Sequence, residues 1–297
     1  MSVSALIGHH QAQTQLAQLL TAGRFPHAIL FHGPQGIGKR LLAEALAIRL
    51  ICGPVAPAEV DMFGAPVAAT GQGPLAANES SPQYFQLQAE SCPDYHIIQP
   101  DDGKKSIGIK QVQNLLEVLL RSADTARTVI VDSLEDLTPE AANTLLKTLE
   151  EPRPGIYFIL IAHQLSATLP TIRSRCRLLP LHPLTADETQ QVLQNLGEDP
   201  TLAAIAAGAP GSVIGAGAKA RAEALLALQN GQKPALNTPN FVSTVMQHLA
   251  TGPASLQQAE TYFKLLHLQY DQADKNLPAA LTAEVTLNRY ETLNTEH

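Results

Sequence analysis

The 297-residue chain has little of several residue types that characterise common classes of protein. It contains no tryptophan, only three cysteines and only 16% charged residues, and its net charge is −7. The cysteines, Cys52, Cys92 and Cys176, are scattered and odd in number, which predicts reduced thiols and excludes a disulfide framework. No pair of them has the spacing of zinc ligands, so the cysteines do not predict a zinc site.

Long apolar runs and an excess of basic residues are also absent. No run approaches the 18 or so apolar residues that a membrane-spanning helix requires, and the first residues lack the basic and apolar regions of a signal peptide. This predicts a cytoplasmic protein with no membrane partner. A free-standing DNA-binding protein normally has a basic balance, whereas this chain is mildly acidic. We therefore expect any contact with nucleic acid to be local or to be made through partners.

Strand-like and helix-like segments alternate over the first 180 residues. Short apolar runs at 28–32, 128–132 and 156–161 are separated by segments with helical spacing of leucine and alanine, as at 40–51. Apolar strands between helices predict a parallel sheet that is covered on both faces. The segment 53–83, which is rich in proline, glycine and alanine, interrupts this pattern as an insertion that is not part of the sheet.

A glycine-rich phosphate-binding pattern lies between the first predicted strand and the helix that follows it. Gly33, Gly36, Gly38 and Lys39 match G-x-x-x-x-G-K, in which backbone N–H groups surround phosphate oxygens and the lysine reaches the outer phosphates. A glycine-rich turn that binds no ligand is the alternative interpretation. The strand before the loop and the helix after it favour descent from a nucleotide-binding loop.

Two catalytic parts that accompany such a loop in ATPases are missing. Arg40 stands where a serine or threonine would hold Mg²⁺, and an arginine cannot ligate a cation. Asp132 ends a predicted strand as a residual Walker B carboxylate, but Ser133 follows where a hydrolytic ATPase has a glutamate that activates water. We therefore expect no ATP hydrolysis by this chain and no required cofactor, whereas ATP binding without hydrolysis stays open.

A second pair of motifs follows the loop. Residues 143–152 are Asn-Thr-Leu-Leu-Lys-Thr-Leu-Glu-Glu-Pro, and Ser174, Arg175 and Cys176 come after the next predicted strand. A cluster of arginines by itself is more often a solvated basic edge than a functional site. Together, however, these two motifs are highly specific, and the chain resembles the clamp-loader branch of the AAA+ ATPases. The resemblance is strong over residues 6–183 and mainly architectural beyond them.

The resemblance implies a fold and a domain organisation. We expect an α/β AAA+ domain at 1–183, with a P-loop NTPase-like parallel sheet and flanking helices. A small helical lid domain at 184–216 and an all-α C-terminal collar domain at 217–297 would follow it. Members of the family commonly carry a four-cysteine zinc module after the phosphate-loop helix, but the insertion at 53–83 contains no cysteine. This departure from the family pattern predicts no zinc and no other metal.

The resemblance also implies a role for Arg175 in trans. In this family the Ser-Arg-Cys motif supplies an arginine finger to the ATP that the neighbouring subunit binds. Ser174 and Cys176 would then be packing and turn residues that aim the arginine. Arg173 and Arg177 would be edge charges and not fingers.

The function that the resemblance implies is that of a non-hydrolysing subunit in a ring that loads the sliding clamp on primed DNA. Ile214, which stands where active members have a sensor arginine, is a third missing catalytic part. The implied partners in this hetero-oligomer are ATPase subunits of gamma/tau type, a delta subunit, the sliding clamp through indirect or weak contact, and primer–template DNA. Two alternatives stay open: an active ATPase of gamma/tau type, and a stand-alone P-loop enzyme such as a small-molecule kinase. A kinase would need an arginine-rich lid, and the segment 53–83 has no arginine.

Overall fold

Helices and strands alternate along the chain, as the sequence predicts. The computed structural model describes residues 6–55, 73–120, 126–215, 218–220, 222 and 224. In chain order the elements are α1 (His10–Thr21), β1 (Ala28–His32), α2 (Lys39–Cys52), α3 (Pro82–Gln88), β2 (Tyr95–Ile98), α4 (Ile109–Leu119), β3 (Arg127–Val131), α5 (Pro139–Glu150), β4 (Ile156–Ala162), α6 (Pro170–Arg173), β5 (Arg177–Pro180), α7 (Ala186–Asn195) and α8 (Ala203–Ala206).

The five strands form one sheet in the order β2-β3-β4-β1-β5, and every neighbouring pair is parallel. In the centre of the sheet, Leu30 of β1 is paired with Leu160 of β4 on one side and with Leu178 of β5 on the other. Parallel strands bring all their carboxyl ends to one edge of the sheet, where the loops that follow them meet. The loops after β1, β3 and β4 therefore lie side by side at this edge.

Burial on both faces explains why the central strands are continuous apolar runs. All the residues of β3 are buried, and so are all but one of β4 and the first four of β1. Helices α4 and α5 bury one stripe each against this sheet, including Val112 and Leu115 of α4 and Leu145 and Leu149 of α5. The predicted parallel sheet with flanking helices is confirmed.

Two strands, β2 and β5, and three helices, α1, α3 and α6, are not among the sequence predictions. Strand β2 has only four residues, and β5 has four residues of which three are exposed, so neither shows a continuous apolar run. Helix α3 begins inside the predicted insertion, where the Ser81 side chain accepts a hydrogen bond from the Tyr84 backbone N–H and caps the helix. The segment 73–81 also contacts the main body, since Leu75 is buried. Residues 56–72 of the insertion lie outside the described residues.

The chain divides into two compact units, Met1–Thr185 and Ala186–His297. The described part of the second unit packs a small apolar core, which includes Leu193, Leu202 and Val213. Ile214 packs against this core as a half-buried aliphatic side chain. The predicted collar at 217–297 lies almost entirely outside the described residues, so the three-part division stays a prediction. Within the described ranges, every helix is too short or too polar to cross a lipid bilayer.

Candidate functional site

The phosphate loop connects β1 to α2 and keeps a tight backbone. A Cβ atom added to Gly33 would lie 2.2 Å from the backbone oxygen of Leu181, the residue that follows β5, so only glycine fits there. Gly38 precedes α2 with a φ of 95°, a left-handed conformation that glycine adopts without strain. Two of the predicted loop glycines are therefore required by the backbone, whether or not the loop binds a phosphate.

Lys39 is directed back into its own loop. Its side-chain ammonium donates hydrogen bonds to the carbonyl oxygens of Gly33 at 2.7 Å and Pro34 at 2.6 Å. The residue is only 3% exposed. Burial lowers the pKa of Lys39 to about 8, against the opposing influence of the carboxylates of Glu135 and Asp132. Two of the three N–H donors of the ammonium are therefore used inside the loop, which leaves one for a phosphate.

Arg40 holds the residual Walker B carboxylate. One guanidinium nitrogen, Nη1, donates to Oδ2 of Asp132 at 2.8 Å and also to the side-chain oxygen of Gln99, which follows β2. The Nε atom donates to Oε1 of Glu44 at 2.9 Å, one turn further along α2. The guanidinium thus ties α2 to residues that follow β2 and β3.

These residues do not fit a Mg²⁺-bound nucleotide. A divalent cation at a phosphate loop needs a hydroxyl after the lysine and a free carboxylate across the loop. Here the arginine replaces the hydroxyl, and its positive charge is already paired with Asp132. Lys39 contacts its own loop, Asp132 is near enough to influence its pKa, and Arg40 neutralises the Asp132 carboxylate.

Glu135 is a site residue that the sequence reasoning missed. It lies in a 3₁₀ turn (Leu134–Asp136) after β3, and its Oε1 accepts hydrogen bonds from the backbone N–H groups of His163 at 2.6 Å and Gln164 at 2.8 Å. Its Oε2 accepts a hydrogen bond from the Ser133 hydroxyl at 3.2 Å. This carboxylate therefore joins the ends of β3 and β4. An acidic residue so close to the end of a buried strand was the available signal.

Ser133 and His163 lie on either side of this carboxylate. Ser133 has a φ of 76°, which is unusual for a residue with a side chain and marks local backbone strain. His163 is half-buried, and burial followed by the charge of Lys39 lowers its pKa. A lowered pKa favours the neutral imidazole, and we interpret His163 as a structural residue at the end of β4.

The cysteines do not form a metal site in the part of the chain that the structure describes. Cys52 and Cys92 belong to one apolar cluster under α2, and burial raises the pKa of both thiols. Among the described residues, no three histidine, cysteine, aspartate or glutamate side chains come together in a way that could hold a metal ion. The prediction that the chain needs no zinc stays a prediction.

Arg175 lies apart from the phosphate loop, between α6 and β5. Its Nη1 donates to the backbone oxygen of Thr171 at 3.0 Å and to the Ser174 hydroxyl at 3.1 Å. Its Nη2 forms an ion pair with Oε1 of Glu150 at 2.7 Å, and 35% of the arginine side chain is exposed. These groups come from α5, from α6 and from the residue that ends α6. None of these three partners of Arg175 belongs to the phosphate loop.

The residues next to Arg175 lie in a hydrogen-bonded turn, in the core and at the sheet edge. The Ser174 hydroxyl donates to the Thr171 backbone oxygen, which fixes the turn. Cys176 packs against the main core, and burial raises the pKa of its thiol to about 12. Arg177 is exposed at the start of the edge strand β5. A fixed turn and a packed thiol on either side of Arg175 limit where its guanidinium can lie.

Comparison with known proteins supports the family resemblance. A family model described as "DNA polymerase III, delta subunit" matches residues 8–185. Over 207 residues the chain is 34% identical to the DNA polymerase III subunit delta' of Pseudomonas aeruginosa, which covers 67% of this chain and 58% of that protein. Over 166 residues it is 37% identical to the subunit of the same name from Haemophilus influenzae, covering 55% and 45%. The chain spans about half the length of the curated relatives it matches.

A solved structure supports the fold. A DNA polymerase III gamma subunit-related protein from Thermotoga maritima matches with a TM-score of 0.51 at 17% identity, over 92% of this chain and 97% of that chain. At this identity the match concerns the fold alone, and it agrees with the predicted parallel sheet with flanking helices. The family match, by contrast, extends over more than half of the sequence. The chain belongs to the DNA polymerase III delta subunit family.

Proposed function

We propose that this chain is a clamp-loader subunit of the delta-prime type in a bacterial DNA polymerase III holoenzyme. It takes part in loading the sliding clamp on primed DNA, hydrolyses no ATP itself and requires no cofactor. It donates Arg175 to the ATP that a neighbouring ATPase subunit binds. The observation that carries the proposal is the Arg40–Asp132 ion pair, which stands where the catalytic Mg²⁺ of an active subunit would be held.

The chemistry of phosphoryl transfer explains why this ion pair opposes hydrolysis. Most of the catalysis comes from positioning the phosphates and from stabilising the charge that develops on them. Lys39 is hydrogen-bonded to its own loop, Arg40 neutralises Asp132, and Ser133 cannot activate a water molecule at neutral pH. Each of these three differences removes a separate part of the machinery.

Arg175 has the properties that the proposed finger needs. It is a permanently charged guanidinium with a planar set of donors, which suits a phosphate better than an ammonium does. It lies on a fixed turn, and a third of its side chain reaches solvent. In other phosphoryl-transfer systems an arginine supplied in trans accelerates the reaction by about 10³–10⁵-fold.

The proposed partners follow from the same role. The ring would contain ATPase subunits of gamma/tau type and a delta subunit, and it would act on the sliding clamp and on primer–template DNA. The net charge of −7 fits a subunit whose contacts are mainly with other proteins. A role in bacterial DNA replication would place the protein in the cytoplasm, as part of a DNA-directed DNA polymerase assembly.

The test is reconstitution of the clamp loader with ATPase and delta subunits, the sliding clamp and primed DNA. Arg175→Ala is compared with wild type and with Arg177→Ala, which removes an exposed arginine two residues away. We expect both variants to assemble, as judged by size-exclusion chromatography, and only Arg175→Ala to lose DNA-stimulated ATP hydrolysis. Unchanged turnover in the Arg175→Ala complex would rule out the finger.

A second measurement addresses the alternative of an active ATPase. The isolated chain is assayed for ATP hydrolysis at high protein concentration, beside a Lys39→Ala variant that exposes any contaminating activity. We expect no turnover that depends on Lys39. Turnover by the wild type that disappears in Lys39→Ala would replace the proposal with an ATPase of gamma/tau type.

A further inference from the structure

Glu150 connects the two motifs that carry the family resemblance. It is the last residue of α5 and belongs to the first motif, whereas Arg175 is the middle residue of Ser-Arg-Cys. The partial negative charge at the carboxyl end of a helix disfavours a carboxylate there. The ion pair with Arg175, at 2.7 Å, offsets this unfavourable position.

The two terminal nitrogens of Arg175 have different kinds of partner. Nη1 donates to the Thr171 carbonyl and to the Ser174 hydroxyl, two neutral groups from α6 and from the residue that ends it. Nη2 is bound by the Glu150 carboxylate, which comes from another helix. The neutral partners orient the guanidinium through Nη1. Its Nη2 atom binds the Glu150 carboxylate, which another anion, such as a phosphate, can replace.

The exposure of the pair indicates that such a replacement is easy. The side chains are 35% exposed at Arg175 and 42% exposed at Glu150. Ion pairs this exposed are weak because water and salt screen them. A nucleotide phosphate carries more negative charge than one carboxylate, and it forms strong paired hydrogen bonds with guanidinium groups.

We propose that Glu150 is a positioning residue that holds Arg175 in a resting place and competes with the neighbour's phosphate for Nη2. This inference rests on the proposed function of Arg175 as the finger. In the resting ring the carboxylate keeps the guanidinium ordered but withdrawn from the phosphate. When DNA and clamp binding bring the neighbouring subunit closer, the phosphate displaces the carboxylate while Nη1 keeps its bonds to the turn.

The test compares Glu150→Gln with Glu151→Gln in the reconstituted complex. Both variants remove one negative charge from the end of α5, but Glu151 is exposed and is not a partner of Arg175 in the described structure. We expect Glu150→Gln to raise ATP turnover without DNA and clamp by about two- to fivefold, the scale of a surface ion pair. Stimulated turnover should rise less, so that the degree of stimulation falls. Glu151→Gln should behave as wild type.

The kinetic constants and the double variant separate positioning from general stability. The carboxylate competes with a phosphate of ATP that the neighbouring subunit has already bound. The gain of Glu150→Gln should therefore appear in unstimulated kcat at saturating ATP and not in KM for ATP. The gain should be absent when Glu150→Gln is combined with Arg175→Ala. A Glu150→Gln complex with unchanged or lower unstimulated turnover, or an equal gain in the Arg175→Ala background, would overturn the inference.

The finger role of Arg175 and the positioning role of Glu150 can be excluded separately. If Arg175→Ala leaves turnover unchanged, then the finger itself is excluded, whatever Glu150→Gln does. If Arg175→Ala abolishes stimulation and Glu150→Gln has no effect on the unstimulated rate, then the finger stands and the role of Glu150 is excluded.

Discussion

Two arginines of the same α/β unit, Arg40 and Arg175, are equally exposed and yet differ in their surroundings. Each has 35% of its side chain exposed. Arg40 binds two carboxylates and an amide, which come from α2 and from the residues after β2 and β3. Arg175 binds one carboxylate of α5 and otherwise only Thr171 of α6 and Ser174, which ends that helix. Two arginines of equal exposure can therefore be held to different extents, because Arg40 connects three separate parts of the sheet unit and Arg175 connects two.

The largest expected difference between the two regions is in ATP hydrolysis by the complex. Replacing Lys39 by alanine should leave DNA-stimulated turnover within about twofold of wild type, because in the proposed ring this loop is not part of the ATP site that turns over. Arg175→Ala should lower turnover at the site it completes by about 10³-fold or more. Single-turnover ATP hydrolysis by the assembled ring measures both. A large loss in the Lys39→Ala complex would mean that the phosphate loop still works.

The next difference is in stability. Arg40→Ala leaves the partly buried carboxylates of Glu44 and Asp132 without their cation. We therefore expect the free energy of unfolding to fall by about 1–3 kcal/mol. The loss is smaller than for a fully buried ion pair because a third of the arginine side chain is exposed. Arg175→Ala removes one exposed ion pair and should cost less than about 1 kcal/mol. Urea unfolding followed by circular dichroism compares the two variants. Equal shifts of the urea midpoint in Arg40→Ala and Arg175→Ala would mean that the two arginines contribute equally to stability, contrary to this prediction.

The lowered pKa of Lys39 in the phosphate loop should be visible in how stability depends on pH. Burial lowers the pKa of Lys39 from 10.5 to about 8. Between these values the unfolded chain binds a proton that the folded chain does not, so this residue makes stability rise with pH in that window and contributes no slope below it. Lys39→Met removes the titration, whereas Arg175→Ala should stay parallel to wild type. Urea unfolding at pH 7, 8, 9 and 10 should show wild type gaining on Lys39→Met above pH 8. A constant difference would contradict the lowered pKa.

The smallest expected effect is the response to salt. Raising the ionic strength from about 0.1 M to 1 M shortens the screening length from about 10 Å to about 3 Å. The small cost of Arg175→Ala should then vanish, because its ion pair is already surrounded by water. Arg40→Ala should keep most of its cost, since its carboxylates are more buried, at 24% and 15% exposure. The same urea experiments at the two salt concentrations would test this, and a parallel decline in both variants would argue against it.

Local pattern was sufficient to predict the centre of the sheet but not its edges. Strands β1, β3 and β4 are buried on both faces, so their residues form continuous apolar runs in the sequence. Strands β2 and β5 lie at the edges of the sheet and are partly exposed. Strand β5 also ends in Pro180, a residue that in a sequence indicates a turn more often than a strand. What a strand reveals in the sequence therefore depends on how completely the sheet buries it.

The sequence allows predictions about the chemistry of single residues but not about contacts between distant elements. The sequence shows that Arg40 cannot hold Mg²⁺, since that follows from one residue type at one position. It does not show that Arg40 pairs with Asp132, 92 positions away, or that Glu135 binds the backbone after β4. Nor does it show that Glu150 meets Arg175. These three contacts exist only because separate elements of the fold bring their ends together.

The close contact between Gly33 and the chain after β5 has a consequence for how such proteins are recognised. Any side chain at this position would collide with the backbone oxygen of Leu181, so the glycine is required by the sheet even where no nucleotide binds. Selection for folding alone can therefore preserve this glycine whether or not the loop binds a nucleotide. The glycine by itself is not evidence of nucleotide binding, whereas the residue after the motif lysine, Arg40 in this chain, bears directly on whether the loop can hold Mg²⁺.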